Sequence, residues 1–250
     1  MKALISGVAV ASAAALALAT PAQAAPKDPV AAVKKQLVAG KGVSFADTTT
    51  WLKDDGTEPY LKRKGKLMFG KGTVAATDMA STYPKETLQR GLDSFQNDRT
   101  ILVGKVAYLS GSYYRKQLPE GKTWLKSDGA ALSNNWAQPI NPAEPATLKK
   151  LLAKAERTSN GYQGTITFDQ LGKVSPWFNL SVPIWSAGGT EVTWKLTVGR
   201  DGLPKRLVTS YPAGGLVRGW PGTFKIDTAY RGWGAKVSIK APPAGQVSAE

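Results

Sequence analysis

Apolar and polar residues alternate along most of this 250-residue chain, which predicts a protein built mainly from β-strands. The alternation is clearest at residues 190–198, where Val192, Trp194 and Leu196 are separated by Thr and Lys. A strand with this pattern buries one face and exposes the other to water. The same reasoning predicts strands at residues 43–52, 60–69, 73–78, 99–103, 106–110, 113–118, 123–127, 164–171, 204–211, 223–230 and 235–240.

Helical periodicity is confined to short segments. Asp28 and Pro29 are suited to the cap and first turn of a helix that ends near Gly40. A second helix is predicted at residues 146–155, with an apolar stripe of leucines, and a third, shorter one at 130–136. The chain is therefore expected to be α+β and mainly antiparallel β. It would form a single strongly curved half-barrel sheet of about ten or eleven strands, with helices covering the concave face.

The first 24 residues have the pattern of a cleavable signal peptide. Lys2 precedes an Ala- and Leu-rich stretch, and Ala22-Gln23-Ala24 offers a small-x-small cleavage site. The chain has no cysteine, so lipid attachment to an N-terminal cysteine is excluded. We therefore expect an exported, non-lipidated protein, extracellular or associated with the cell envelope, and a single domain over residues 25–250, since no linker interrupts the pattern.

The composition favours binding over catalysis. The chain contains neither histidine nor cysteine, which supply most general bases near neutral pH and most transition-metal ligands. No cofactor or metal site is predicted. One alternative remains open, a carboxylate-based hydrolase, because Glu191 and Asp227 lie in predicted strands that could be neighbours.

The charge predicts anionic partners. Lysine and arginine exceed aspartate and glutamate by 15, or by 14 once the signal peptide is removed. Phospholipid headgroups, wall polymers and acidic glycans would be attracted to such a surface. Nucleic acid is disfavoured, because the charge is dispersed and export separates the protein from it.

Three apolar, Pro- and Gly-bounded stretches have two interpretations. They lie at residues 176–178, 183–185 and 216–221, and they contain Trp177, Trp185 and Trp220. Such segments suit a membrane contact or the mouth of a ligand site, and they equally suit the covered edge of a core.

Several stretches together resemble the LolA/LolB-like lipoprotein-carrier superfamily, and most closely the actinobacterial envelope lipoproteins that carry acylated glycolipids. The similar stretches are VAYL (106–109), TWLK (123–126), LKKLL (148–152), YQGTI (162–166), KLTVGRDGLP (195–204), WG (233–234) and IKAPP (239–243). The resemblance implies a half-barrel around a hydrophobic cavity with a lid of helices, and no catalysis. Without a cysteine to acylate, this chain would be a soluble member.

That resemblance implies an acyl-chain ligand, from a lipid or a lipoprotein, held between sheet and helices. The predicted inward residues are Leu67, Phe69, Leu148, Leu151, Leu152, Phe168, Trp194 and Leu196. Lys173 and Arg218 are predicted to meet an anionic headgroup. The alternative is the same fold with a filled core, acting as an envelope interaction module. Its basic, aromatic surface would bind wall polymer, membrane or a protein partner.

Overall fold

The computed structural model of the protein describes residues 28–87, 98–128, 138–181 and 187–249. Three segments lie wholly outside these ranges: the predicted signal peptide, the predicted helix at 130–136 and the apolar stretch at 183–185. Within the described ranges, no helix combines the length and apolar character needed to cross a membrane.

The described residues form one open, mainly antiparallel sheet, as predicted. It has twelve strands, slightly more than the ten or eleven expected. The strands are β1 (Lys41–Lys53), β2 (Gly56–Phe69), β3 (Val74–Thr82), β4 (Arg99–Val103), β5 (Val106–Ser110), β6 (Trp124–Asp128), β7 (Glu156–Thr158), β8 (Gly161–Thr167), β9 (Glu191–Val198), β10 (Pro204–Pro212), β11 (Thr223–Lys236) and β12 (Val247–Ala249). Their order is β12-β6-β5-β4-β3-β2-β1-β11-β10-β9-β8-β7, with β12 and β7 at the two edges.

Strand β1 organises the centre of the sheet, because it pairs along nearly its whole length with both β2 and β11. Its side chains alternate between the two faces of the sheet, and Val43, Phe45, Asp47 and Thr49 are buried on the inner face. Phe45 lies opposite Gly65 on β2, where an added Cβ would lie 2.7 Å from the phenyl ring. A glycine is therefore required at this point for the ring to lie flat on the sheet.

Six helices have described residues: α1 (Pro29–Gln36), α2 (Lys85–Thr87), α3 (Ser112–Arg115), α4 (Pro145–Leu152), α5 (Phe168–Gly172) and α6 (Pro176–Ser181). The predicted cap of α1 is confirmed, since the Asp28 carboxylate accepts a hydrogen bond from the Val30 N–H at 2.9 Å. Val33 of α1, Leu148 of α4 and Phe178 of α6 belong to the same buried core as the inward residues of the sheet. The predicted half-barrel, with helices over its concave face, is confirmed.

Three local predictions were wrong. Residues 113–118 are not a strand: α3 and a turn occupy them, so the predicted hairpin to β6 does not form. The strand predicted at 164–171 ends at Thr167, whose hydroxyl and Gln170 form a reciprocal capping box that starts α5. No separate strand forms at 235–240, because β11 runs unbroken to Lys236.

The chain after β11 forms a strap over the convex face, here called the C-terminal strap (residues 237–249). Val237 and Ile239 are buried there against a small second core that includes Ile101 and Trp124. The strap ends as β12, which pairs in parallel with β6. It therefore covers both an apolar patch and a sheet edge that would otherwise be exposed.

Candidate functional site

A cavity of about 780 Å³ lies between the helices and the inner face of β3 and β4. Thr77 and Leu102 contribute to its sheet side, and Val30, Trp177 and Leu180 contribute from the helices. Most of the lining is apolar. The volume falls within the range of about 300–1,000 Å³ that is usual for small-molecule sites.

Small residues keep this cavity open. Gly72, Ala75, Ala76 and Gly104 line it where the β2–β3 and β4–β5 hairpins turn. None of these residues has a side chain long enough to reach the helices. Elsewhere the concave face is filled by phenylalanine, tyrosine and leucine side chains. The space therefore follows from which residue types reach this end of the sheet.

The polar centre of the site is Glu144, the residue before α4. Its carboxylate accepts hydrogen bonds from the Thr147 hydroxyl (2.8 Å), the Ser175 hydroxyl (2.6 Å) and the Trp177 backbone N–H (2.7 Å). These contacts tie the start of α4 to the start of α6. Burial raises the pKa of the Glu144 carboxyl, and the accepted hydrogen bonds offset part of that rise.

The segment that leads to Glu144 is fixed by a buried polar network. The Gln138 amide donates to the Thr228 hydroxyl at 2.9 Å and accepts from the Thr209 hydroxyl at 3.0 Å. The Trp177 indole N–H donates to the Gln138 carbonyl at 2.8 Å. Segment 138–144, which forms the roof of the cavity, is thereby attached to β10, β11 and α6.

Asn141 and two lysines supply the remaining polarity. Asn141 lines the cavity and is 3% exposed. Its Oδ1 accepts from the Ala143 N–H, whereas its Nδ2 has no hydrogen-bond partner among the described residues. Lys34 on α1 and Lys149 on α4 also line the cavity, and both are exposed. The site thus combines an apolar interior, one available amide donor and a basic mouth.

The structure places the predicted ligand residues in the main core beside the cavity. Seven are buried, and Leu152 is half-buried: Leu67, Phe69, Leu148, Leu151, Leu152, Phe168, Trp194 and Leu196. None of them is among the described residues that line the 780 Å³ cavity. Their contact with a ligand stays a prediction. The inward orientation inferred from alternation is what the structure shows for all of the strand residues in this set.

The two predicted headgroup residues lie far apart. Lys173 is exposed and precedes Val174, which lines the cavity. Arg218 lies in the loop before β11, where Trp220 stacks on Trp51 with ring centroids 5.3 Å apart. The loop that carries Arg218 lies near the C-terminal end of β1. The cavity lies at the opposite end of that strand, beside the turn that follows β2, because the end of β2 pairs with the start of β1. The structure therefore does not bring Lys173 and Arg218 together.

The acidic pair considered for hydrolysis is also separated. Strand β10 lies between β9, which carries Glu191, and β11, which carries Asp227. Asp227 instead accepts two hydrogen bonds from the Arg206 guanidinium. The two strands are not neighbours, so the two carboxylates do not face each other across a cleft, and the alternative of a carboxylate-based hydrolase loses its proposed pair.

Comparisons with known proteins find similarity among solved structures only. No family model matches the chain, and no curated protein matches it. Among solved structures, the chain is similar to a LolA superfamily protein from Nitrosomonas europaea, with 10% identity and a TM-score of 0.32 over 81% of this chain and 90% of that chain. At this identity and TM-score the likeness carries no weight for the superfamily or the function, so the function proposed below rests on the cavity itself.

Sequence reasoning missed most of the cavity lining. Thr77, Leu102 and Asn141 carry no motif, and the small residues of the hairpin turns read as ordinary turn residues. One sequence feature does point to the cavity, since the apolar stretch at 176–178 suits either a ligand contact or the covered edge of a core. Trp177 is 7% exposed and also lines the cavity, so its position fits both descriptions.

Proposed function

We propose that this protein is a non-catalytic carrier that binds the acyl chain of a lipid or lipoprotein in the cavity between α1, α4, α6 and the sheet. The observation that supports this proposal is the mostly apolar space of 780 Å³, open to solvent on one side, that lies beside an otherwise packed core. A cavity of this size and lining suits a hydrophobic ligand, because apolar surface removed from water stabilises the complex without specific polar contacts.

The energetics support useful affinity. Each buried methylene contributes about 0.8 kcal/mol, so a chain of about 16 carbons offers about 13 kcal/mol before costs. Ordering the chain and losing translational freedom remove several kcal/mol of that gain. A net affinity in the micromolar range or better is expected.

The polar groups favour a ligand with an ester or carboxyl oxygen and an anionic headgroup. Asn141 Nδ2 offers a donor to a carbonyl oxygen within the cavity. Lys34 and Lys149 place two positive charges at the mouth. The Glu144 carboxylate already accepts three hydrogen bonds that connect α4 to α6 in the cavity roof, so it is not assigned a ligand contact.

The direct test is lipid extraction from the purified full chain followed by mass spectrometry. A titration with a fluorescent 16-carbon fatty acid gives the affinity. Ala146→Trp places an indole at the mouth, and Leu180→Glu places a carboxylate in the wall. The matched control is Ala153→Trp, an exposed alanine just after α4 that is not among the residues lining the cavity.

Both cavity variants are expected to weaken probe binding by roughly tenfold or more, since either change removes about 1.4 kcal/mol or more of apolar contact. Ala153→Trp should bind as the unaltered protein does. Equal affinity in all four proteins, with no extracted lipid, would refute the proposal.

We also propose, from the signal-peptide pattern and the glycolipid-carrier resemblance, that the chain is exported and acts on envelope lipids.

A further inference from the structure

The convex face of the sheet carries a row of three lysines on β2. Lys62, Lys64 and Lys66 are all exposed, and their neighbours Arg63 and Leu67 point into the core. Alternate residues of a strand lie about 7 Å apart on the same face. The three ammonium groups therefore form a regular line along the strand, on the side opposite the cavity.

Strand β1 beside this row offers only short side chains on the same face. Ser44, Ala46 and Thr48 lie directly opposite Lys66, Lys64 and Lys62, respectively. On the other side of β1 they lie opposite Arg231, Ala229 and Asp227 of β11. Strands are about 4.8 Å apart, so β1 is the floor of a shallow trough about 10 Å wide, here called the outer trough.

The second wall of the outer trough is also positive. Arg231 and Lys225 on β11 are exposed. The acidic residue between them, Asp227, accepts two hydrogen bonds from Arg206 of β10.

The acid beyond the lysine row is likewise neutralised. Asp78 on β3 lies opposite Lys66 and accepts two hydrogen bonds from Arg99, at 2.8 and 2.7 Å. Each acid beside the trough is thus already paired with an arginine. The lysines of β2 have no ion pair with described residues, so their charge is available to a partner.

We propose that the outer trough binds a linear polyanion that lies along β1, such as an acidic polysaccharide or a polyphosphate. Such a chain can contact cations on both walls at once while its backbone lies on the Ala and Thr floor. This surface is distinct from the lipid cavity and does not depend on the function proposed for it.

Two observations separate this partner from other anions. A membrane surface is disfavoured, because the described large hydrophobic residues that are exposed, Val38 and Tyr113, are not on these strands. A bilayer would also meet a convex face along a narrow strip. Single-stranded nucleic acid is disfavoured because the floor residues Ser44, Ala46 and Thr48 offer no aromatic ring on which bases could stack.

The test uses the full chain and its variants against polyphosphate of defined length and against alginate, a carboxylate glycan. The outer-trough variant is Lys62→Gln/Lys64→Gln/Lys66→Gln. Its matched control is Lys35→Gln/Lys116→Gln/Lys154→Gln, which removes the same charge from three exposed lysines elsewhere. Ala46→Glu places a single negative charge on the trough floor. Thermal unfolding of every variant confirms that it folds.

The unaltered protein is expected to bind with an affinity that falls as salt rises. Because each neutralised anion contributes roughly 0.7 to the logarithmic salt slope, the outer-trough variant should lower that slope by about 2 and weaken binding roughly tenfold or more. Ala46→Glu should also weaken binding. The control triple should bind within about threefold of the unaltered protein. Preference for polyphosphate or for alginate identifies the anion.

Three results would overturn the proposal. One is equal loss of affinity in the outer-trough and control triples, which would mean that only net charge matters. Another is binding to vesicles containing phosphatidylglycerol without binding to either polymer. The third is clearly tighter binding of oligo(dT) than of both polymers, which would assign the surface to nucleic acid.

Discussion

The buried ion pair between β1 and β2 gives the sharpest prediction about stability. Asp47 and Arg63 lie directly opposite each other in the central strand pair, and both side chains have zero exposure. Arg63 donates from Nε at 3.1 Å to Oδ1 and from a terminal nitrogen at 2.7 Å to Oδ2 of Asp47. Asp47→Asn keeps the shape of the side chain but removes the carboxylate charge that faces the guanidinium in the core.

We expect Asp47→Asn to lower the free energy of unfolding by about 3–5 kcal/mol, the usual cost of breaking a buried pair. For a chain of this size that corresponds to a fall in Tm of roughly 6–20 °C. Asp47→Leu combined with Arg63→Met removes both charges. Its loss should be smaller by about 2 kcal/mol or more than the sum of the two single losses, because both members of the pair are removed together.

Urea unfolding followed by tryptophan fluorescence measures these values by linear extrapolation. The matched control is Asp227→Asn, which breaks the exposed pair with Arg206 and should cost at most about 1 kcal/mol. If Asp47→Asn costs no more than the control, or if the two core substitutions are additive, the buried pair does not stabilise the centre of the sheet as reasoned here.

Three further outcomes are expected. Burial raises the pKa of Asp98 to about 7, so between about pH 4 and pH 7 the folded state keeps a proton that the unfolded state has lost, and stability should fall as the pH rises through this range. Asp98→Asn should therefore reduce the difference in Tm between pH 5 and pH 8, and an unchanged difference would contradict this. Gly65→Ala would place Cβ 2.7 Å from both the Phe45 ring and the Asp78 backbone oxygen, and should lower the free energy of unfolding by about 1–3 kcal/mol in the same urea assay. An unchanged midpoint would mean that these neighbours accommodate the added methyl group at no cost. Deleting residues 237–250 should expose Trp124 and lower Tm, and should shift the tryptophan fluorescence to the red. The same deletion in the Trp124→Phe variant should give a smaller shift, and equal shifts in the two proteins would show that the strap does not cover this patch.

Strand patterning shows which structural features are encoded locally. Alternation places Val192, Trp194 and Leu196 on one face of β9 whatever they pack against, because successive side chains of a strand point to opposite faces. The N-terminal cap at Asp28 is local in the same way, since its partner Val30 is two residues away. Features of this kind were predicted correctly.

The errors occurred where local patterns compete. Residues 112–115 include Tyr113 and Tyr114, which favour strands, yet they form a helical turn in which Tyr114 is buried. The parallel pairing of β12 with β6 joins residues more than 120 positions apart, and its three residues carry no pattern of their own. Contacts at that separation outweigh propensity, and no short window of sequence contains them.

By itself, the sequence determined that the chain would form a mainly antiparallel sheet with an apolar face and a strongly basic surface. It could do so because alternation and charge are properties of neighbouring residues. Only the tertiary structure decided where space would remain, since Gly72, Gly104, Asn141 and Leu180 meet at one cavity from four separate parts of the chain. It likewise decided that Lys64 and Ala46 lie side by side on the convex face, because strand register is fixed by pairing between segments.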